Sequence, residues 1–180
     1  TAPEQCISCA TGLYQQLEGQ AACKSCPAGY HQSQSNKTEC TVCGSGNYSG
    51  AQSAMCEVCD SGSVPVQEQS KCERCSAGQW SAVSTLPCLA CGLGNVTNTL
   101  SAAGATTCVG CSKGQYSPDS TTRCIDCGAG KYGDTVGADA ESKCTRCSQA
   151  KYAVLAGSDD ASGCIACGAG SVVKLSLIHI

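Results

Sequence analysis

Every cysteine in this chain belongs to a Cys-x-x-Cys pair, and the pairs recur at short, nearly constant intervals. The 180 residues contain 20 cysteines, which form ten such pairs. The pairs begin at residues 6, 23, 40, 56, 72, 88, 108, 124, 144 and 164, so successive starts lie 16, 17 or 20 residues apart. A short fixed period predicts an array of small units in which each unit packs mainly on its neighbours.

The composition leaves little material for a hydrophobic core. The chain has no Phe, one Trp, one Met and six Tyr. Burying one large side chain contributes roughly 1.5–3 kcal/mol, whereas ordering each residue costs about 1.5 kcal/mol. A disulfide that closes a loop of about 15 residues contributes roughly 3 kcal/mol, mainly by restricting the unfolded chain. We therefore expect cross-links to replace the core, in an oxidising extracellular or cell-surface setting.

Alignment on the second cysteine of each pair reveals two further columns. The residue three positions later is glycine in nine of ten repeats, which predicts a site that needs positive φ or close approach to a neighbour. Ala150 takes the tenth place, where the turn must change or carry strain. The residue five positions later is aromatic or β-branched in every repeat except that of His31, which suits a short strand. The structural turn glycines are Gly12, Gly29, Gly46, Gly62, Gly78, Gly94, Gly114, Gly130 and Gly170.

Polar turns separate these short extended runs, so each repeat is predicted to be a hairpin. No apolar period of 3.6 residues indicates a helix. The predicted fold class is small, disulfide-rich, irregular β: an elongated solenoid or rod of tandem short hairpin repeats with no helices and no central core. Two or three strand spacings of about 4.8 Å per hairpin give a length on the order of 100–150 Å.

The chain reads as an internal piece of a longer secreted protein. Residues 1–5 are interpreted as the end of a preceding segment, and residues 6–174 as the ten repeats, the last one truncated. Residues 175–180 (LSLIHI) match no repeat and resemble a translated sequencing adaptor, so we exclude them from the fold. The alternative is a natural strand that begins the next segment.

Two structural disulfide schemes fit the pairs, and sequence alone does not decide between them. In the crossed scheme two pairs form a ladder, such as Cys6–Cys23 with Cys9–Cys26. In the hairpin scheme, which treats all repeats alike, the second cysteine of one pair joins the first cysteine of the next, and Cys6 and Cys167 pair outside the chain. The hairpin scheme, which we favour, predicts Cys9–Cys23, Cys26–Cys40, Cys43–Cys56, Cys59–Cys72, Cys75–Cys88, Cys91–Cys108, Cys111–Cys124, Cys127–Cys144 and Cys147–Cys164.

Zinc binding and thiol redox chemistry are the rival interpretations of the cysteines. Two Cys-x-x-Cys pairs about 16 residues apart match a zinc-ribbon spacing, but five such sites in tandem would need a reducing compartment. Redox activity needs one activated thiol, typically at a helix N-terminus, and ten equivalent pairs without a helix do not suit it. We therefore expect neither a metal nor any other cofactor, and we find no catalytic constellation.

The repeated pattern Cys-x-x-Cys-x-x-Gly-x-Tyr resembles the cysteine-rich modules of ephrin receptors and tumour-necrosis-factor receptors. The clearest instances are residues 40–48 (CTVCGSGNY) and 108–116 (CVGCSKGQY). Long uninterrupted arrays are similar to protist cysteine-rich surface proteins, such as immobilisation antigens and variant-specific surface proteins. The resemblance covers residues 6 to about 172 and implies the fold type more strongly than the function.

Three sequons, at Asn36, Asn47 and Asn95, predict N-glycosylation. Asn36 lies in a polar turn and is the best candidate, whereas Asn47 and Asn95 flank strand residues.

The expected function is a non-enzymatic structural protein of a surface coat or extracellular fibre. A receptor ectodomain that binds a protein ligand is the alternative, and it predicts an exposed patch confined to a few repeats. The expected partners are other extracellular proteins or copies of the chain, together with N-glycans. A net charge of −3 without a basic patch argues against nucleic acid. No apolar run of about 18 residues occurs, so membrane attachment would need an anchor outside this chain.

Overall fold

The structure is a computed structural model that describes residues 5–172. The segment 175–180, interpreted above as adaptor-derived, lies outside the described residues. Within 5–172 the chain forms a succession of two-stranded sheets. The strands, numbered β1 to β18 in chain order, are Leu13–Tyr14, Lys24–Ser25, Tyr30–His31, Thr41–Val42, Asn47–Tyr48, Glu57–Val58, Ser63–Pro65, Cys72–Arg74, Gln79–Trp80, Leu89–Ala90, Asn95–Thr97, Cys108–Gly110, Gln115–Tyr116, Ile125–Asp126, Lys131–Tyr132, Thr145–Arg146, Lys151–Tyr152 and Ile165–Ala166.

Nine disulfides close nine successive hairpins. Each joins the second cysteine of one pair to the first cysteine of the next, across 13, 14 or 17 positions. We number the hairpins 1 to 9 by these bonds: Cys9–Cys23, Cys26–Cys40, Cys43–Cys56, Cys59–Cys72, Cys75–Cys88, Cys91–Cys108, Cys111–Cys124, Cys127–Cys144 and Cys147–Cys164.

Each hairpin begins with a short strand that pairs with the strand around the next Cys-x-x-Cys. In hairpin 1 Leu13 lies opposite Ser25, and in hairpin 7 Tyr116 lies opposite Ile125, both in antiparallel register. The strands are two or three residues long. A two-stranded hairpin of this size is marginally stable by itself in water, so each one depends on its disulfide and its neighbours.

The described residues form two compact units. The first comprises residues 5–76 and 81–89, and the second residues 77–80 and 90–172. Both are built from the same repeat, and hairpin 5 contributes to each. No α-helix occurs in residues 5–172, as the fold class predicts. Three one-turn 3-10 helices lie in the polar turns, at Gln67–Gln69, Glu141–Lys143 and Ala161–Gly163. No helix in the described residues is long and apolar enough to span a membrane.

The interior consists of cystine and small side chains. The second cysteine of most pairs is almost fully buried, with exposed fractions of 0% for Cys26 and 1% for Cys75, Cys111 and Cys127. The largest side chain that is fully buried is that of Thr97. Most ring side chains at the position five residues after the second cysteine are only half-buried, and Tyr152 is exposed. Tyr30, which precedes His31, is also exposed. Cystine therefore fills the space that large apolar residues occupy in an ordinary domain.

Glycine recurs at the turn position of the repeats for two structural reasons. All nine have positive φ, between 74° at Gly94 and 81° at Gly29. Ala150 keeps the same turn with a φ of 62°, which is a strained conformation for a residue with a side chain.

The second cause is the close approach of a hairpin two places along the array. A Cβ added to Gly12 in hairpin 1 would overlap the Gln52 carbonyl oxygen in hairpin 3. In the second unit, a Cβ added to Gly94 in hairpin 6 would overlap the Gly137 carbonyl oxygen in hairpin 8. The turn of the second hairpin that follows comes similarly close at six of these glycines, namely Gly12, Gly29, Gly46, Gly78, Gly94 and Gly114.

Substitution of two glycines separates these causes. Gly94 and Gly130 have similar φ values of 74° and 80°, but a Cβ at Gly130 would meet nothing within 4 Å. We expect Gly130→Ala to lower the free energy of unfolding by about 1 kcal/mol, the cost of the left-handed conformation. Gly94→Ala should lower it by about 3 kcal/mol or more, because the Gly137 backbone must also move. Denaturant unfolding of both variants measures the difference, and equal losses would show that close packing is unimportant.

Candidate functional site

The joint between hairpins is the structural feature that recurs most regularly, and its centre is the turn glycine. The glycine carbonyl accepts a hydrogen bond from the second cysteine of the next pair, as in Cys26 N to Gly12 O at 2.9 Å. The glycine N–H donates to the following hairpin, as in Gly12 N to Gln32 O at 2.7 Å. The second unit repeats the geometry around Gly114, which accepts from Cys127 and donates to Gly133, both at 2.7 Å. One residue thus fixes the position of the next disulfide and of the next strand.

A column of small buried residues, six positions after the second cysteine, completes the joint. Ser49, Ser81, Thr97 and Ser117 occupy it, and each is at most 2% exposed. Their hydroxyl groups donate to carbonyl oxygens of neighbouring turns. The acceptors are Tyr30 O for Ser49, Val83 O for Ser81, Leu100 O for Thr97 and Asp119 O for Ser117. Sequence reasoning missed this column, although the recurrence of Ser and Thr at one register was a visible signal.

The cysteines that the hairpin scheme pairs are the ones the structure brings together, and the crossed ladder does not occur among the described residues. Cys6 and Cys167 have no disulfide partner within residues 5–172. Their pairing outside the chain stays a prediction.

One cluster of side chains in the described residues has the spacing of metal ligands. His31 Nδ1 and the sulfurs of Cys43 and Cys56 all lie within 4.8 Å of one another. The two cysteines are joined to each other, and thiolate rather than disulfide sulfur is the metal ligand in proteins. The oxidised cluster is therefore a disulfide with an imidazole against it.

The charged groups form local contacts in turns and across strands. Asp119 accepts hydrogen bonds from the backbone N–H groups of Thr121 and Thr122, which lower the pKa of its carboxyl group. The hydroxyl and N–H of Ser162 likewise lower the pKa of Asp160, which caps the 3-10 turn Ala161–Gly163. Asp160 thus has a structural role in this turn.

Two side-chain pairs link residues that are nine or ten positions apart in the sequence. Lys131 Nζ lies 2.6 Å from Glu141 Oε1 and lowers the pKa of that carboxyl group. Tyr48 donates its hydroxyl to Glu57 Oε2 at 2.6 Å, and this bond raises the pKa of the tyrosine. Lys131 and Glu141 line a shallow depression with Ser142, Cys144 and Arg146. Lys131 and Glu141 pair with each other there, and Arg146 adds a second positive charge to the lining.

The three sequons differ in exposure and in the structural role of their hydroxyl residues. Asn36 and Thr38 are exposed, and Asn36 has the positive φ of 59° that asparagine tolerates well. The sequons at Asn47 and Asn95 end in Ser49 and Thr97, which belong to the buried hydroxyl column. Ser81 and Ser117 occupy the same column, but the residue two positions before each of them is glutamine instead of asparagine. The hydroxyl residues of these two sequons thus have a structural role that is independent of glycosylation, whereas Thr38 has none in the described contacts.

Exposed apolar side chains recur inside the Cys-x-x-Cys segments. They lie at the first or the second position between the two cysteines of a pair. In the first unit they include Val42 and Val58, which are 55% and 71% exposed. In the second unit they include Val109, Ile125 and Ile165, which are 59%, 43% and 54% exposed. We call this set the apolar column.

A comparison with known families matches two segments of the chain. The family model described as "Tyrosine-protein kinase ephrin type A/B receptor-like" matches residues 1–43 and 99–144. The first segment contains hairpins 1 and 2, and the second contains hairpins 7 and 8, so both units carry matched repeats. A search of the curated proteins found no match.

Removal of the exposed sequon tests glycosylation. In protein secreted by eukaryotic cells, Thr38→Val should reduce the mass by one N-glycan without changing the stability of the deglycosylated chain, because Thr38 makes no recorded hydrogen bond. The measurement is intact mass before and after peptide-N-glycosidase treatment. Thr97→Val is the matched variant, and we expect it to lower the free energy of unfolding by about 1 kcal/mol, since the Leu100 carbonyl loses its donor. An unchanged mass for Thr38→Val would mean that Asn36 carries no glycan.

Proposed function

We propose that this chain, whose tandem cysteine-rich repeats are of the ephrin-receptor-like family, is part of a non-enzymatic structural protein of a cell-surface coat or extracellular fibre. The family is a receptor-like, disulfide-rich extracellular module without enzymatic activity. A module of this kind supplies architecture, and the surface that it presents decides whether it binds a ligand or other copies of itself.

The mechanical properties of the joint support a structural role. Each of hairpins 1 to 8 is closed by a disulfide and accepts, through its turn glycine carbonyl, a hydrogen bond from the first cysteine of the next hairpin. Proteolysis of a folded protein requires local opening, and a short loop closed by a disulfide opens little. Repetition of one stapled unit therefore gives a surface layer that resists extracellular proteases without a hydrophobic core.

The distribution of exposed apolar residues is the observation that carries this proposal. Members of the apolar column occur in both units rather than in a few hairpins. A receptor that binds one protein ligand has such residues in a single patch. Lateral association of identical chains instead uses contacts in many repeats. The proposed partners are accordingly copies of the chain or other extracellular proteins.

A ligand-binding ectodomain is the second candidate, and the family match favours it. The matched model is that of receptor-like repeats. The two candidates differ in what they require of the chain. A coat protein must associate with itself at high local concentration, and a receptor ectodomain must stay free to bind its ligand.

Self-association distinguishes the candidates. We expect sedimentation velocity to show association of the wild-type chain as its concentration rises into the range of a dense surface layer. The double variant Val109→Lys/Ile125→Lys should weaken association at least about tenfold, because burying an unpaired charge is costly. A control of equal charge, Ser112→Lys/Gln149→Lys, changes two exposed polar residues of the same unit and should associate like the wild type. A chain that stays monomeric at all concentrations would contradict the coat proposal and favour the receptor.

A further inference from the structure

His31 lies against the disulfide of the hairpin that follows it. Its position is five residues after Cys26, where most other repeats carry tyrosine, tryptophan or valine. Its backbone forms a parallel bridge with Ser53 of hairpin 3, and its Nδ1 atom is 3.1 Å from Cys56 Sγ. Because a disulfide sulfur carries no hydrogen, the hydrogen bond of this pair runs from Nδ1–H to the sulfur.

We propose that Cys43–Cys56 is the site at which this chain undergoes thiol–disulfide exchange, and that the reactant is a dithiol, either small or carried by a protein. His31 is the group that distinguishes this bond from the other eight. The remaining disulfides serve only as staples.

The imidazole of His31 stabilises the reduced form of the bond more than the oxidised form. A disulfide sulfur is a weak hydrogen-bond acceptor, whereas a thiolate accepts a charge-assisted bond that is about twice as strong as a neutral one. A neighbouring histidine or other cation also stabilises a cysteine thiolate. His31 therefore favours the reduced state of Cys56 over the oxidised state, and stabilisation of the reduced form makes a disulfide a stronger oxidant.

Cys56 is the sulfur of this bond that a dithiol can reach. Cys56 is partly exposed, whereas Cys43 is 3% exposed. One thiolate of the dithiol attacks Cys56 Sγ, the Cys43–Cys56 bond breaks, and its electron pair leaves on Cys43. The second thiol then attacks the first sulfur of the reagent and releases Cys56 as a thiolate beside His31 Nδ1–H. The dithiol ends as a disulfide, one of its two protons passes to Cys43, and the other is released to solvent while Cys56 remains a thiolate.

The disulfide of the neighbouring hairpin 2 is as accessible as Cys43–Cys56. Cys26–Cys40 of hairpin 2 has the same arrangement of one buried and one partly exposed cysteine. It has no imidazole, because His31 is the one histidine within residues 5–172. Accessibility therefore does not single out Cys43–Cys56, and the imidazole does.

The experiment titrates the whole chain with dithiothreitol redox buffers after its free thiols have been alkylated. At each ratio of reduced to oxidised reagent, a second alkylating agent labels new thiols, and mass spectrometry assigns them to individual cysteines. We expect Cys43–Cys56 to be half reduced at a ratio about tenfold lower than Cys26–Cys40, which corresponds to about 30 mV for a two-electron couple. Simultaneous reduction of the two bonds would overturn the proposal.

Moving the imidazole provides the matched control. Trp80 forms the same parallel bridge with the next hairpin that His31 forms, here with Ala105 of hairpin 6, three residues before the partly exposed Cys108, just as Ser53 lies three residues before Cys56. His31→Tyr should abolish the early reduction of Cys43–Cys56, and His31→Tyr/Trp80→His should transfer it to Cys91–Cys108. Early reduction of Cys43–Cys56 that persists in His31→Tyr would mean that His31 is not responsible and would also overturn the proposal.

Discussion

The bond between the second cysteine of one pair and the first cysteine of the next determines the rest of this structure. It turns a run of polar residues into a closed loop whose two strands need only two or three residues each. Such a loop has too little apolar surface to order itself, since the conformational entropy of its residues exceeds what burial returns. The disulfide restricts the unfolded chain and so reduces the conformational entropy that the loop loses on folding. The buried cystine is also the surface on which the neighbouring hairpins pack.

The turn glycine converts single hairpins into an array. Its carbonyl binds the backbone of the next buried cysteine, its N–H binds the next strand, and its missing side chain admits the turn two hairpins away. Stability in such an array is approximately a sum over units and nearest interfaces. Because residues 5–172 have no central core, the number of units is free to vary, and so are the surface residues between the joints. Covalent closure of each unit supports the proposed structural role, and the exposed apolar residues found in both units carry it.

The sequence predicted the parts of the fold that a repeating pattern exposes directly. The hairpin unit, the glycine register and the class of fold follow from spacing and residue type alone. The buried column of Ser49, Ser81, Thr97 and Ser117 did not, because serine is common in exposed turns and its burial here depends on the following hairpin. The contact of His31 with Cys56 was equally hidden, since it joins residues of different repeats. Pattern analysis thus identifies positions that need one residue type, but it overlooks positions whose role is set by a neighbouring unit.

The disulfide connectivity is the central claim, and tryptic cleavage inside the Cys-x-x-Cys pairs tests it most directly. Lys24, Arg74 and Arg146 each lie between the two cysteines of a pair, and all three are exposed. In the hairpin scheme no disulfide crosses these positions, so cleavage of the non-reduced chain there, in a denaturant that opens the strands, must release separate pieces. Their masses under non-reducing conditions should correspond to segments that end at residues 24, 74 and 146. A crossed ladder would keep the segments on both sides of each cut joined until a reductant is added, and that result would contradict the account.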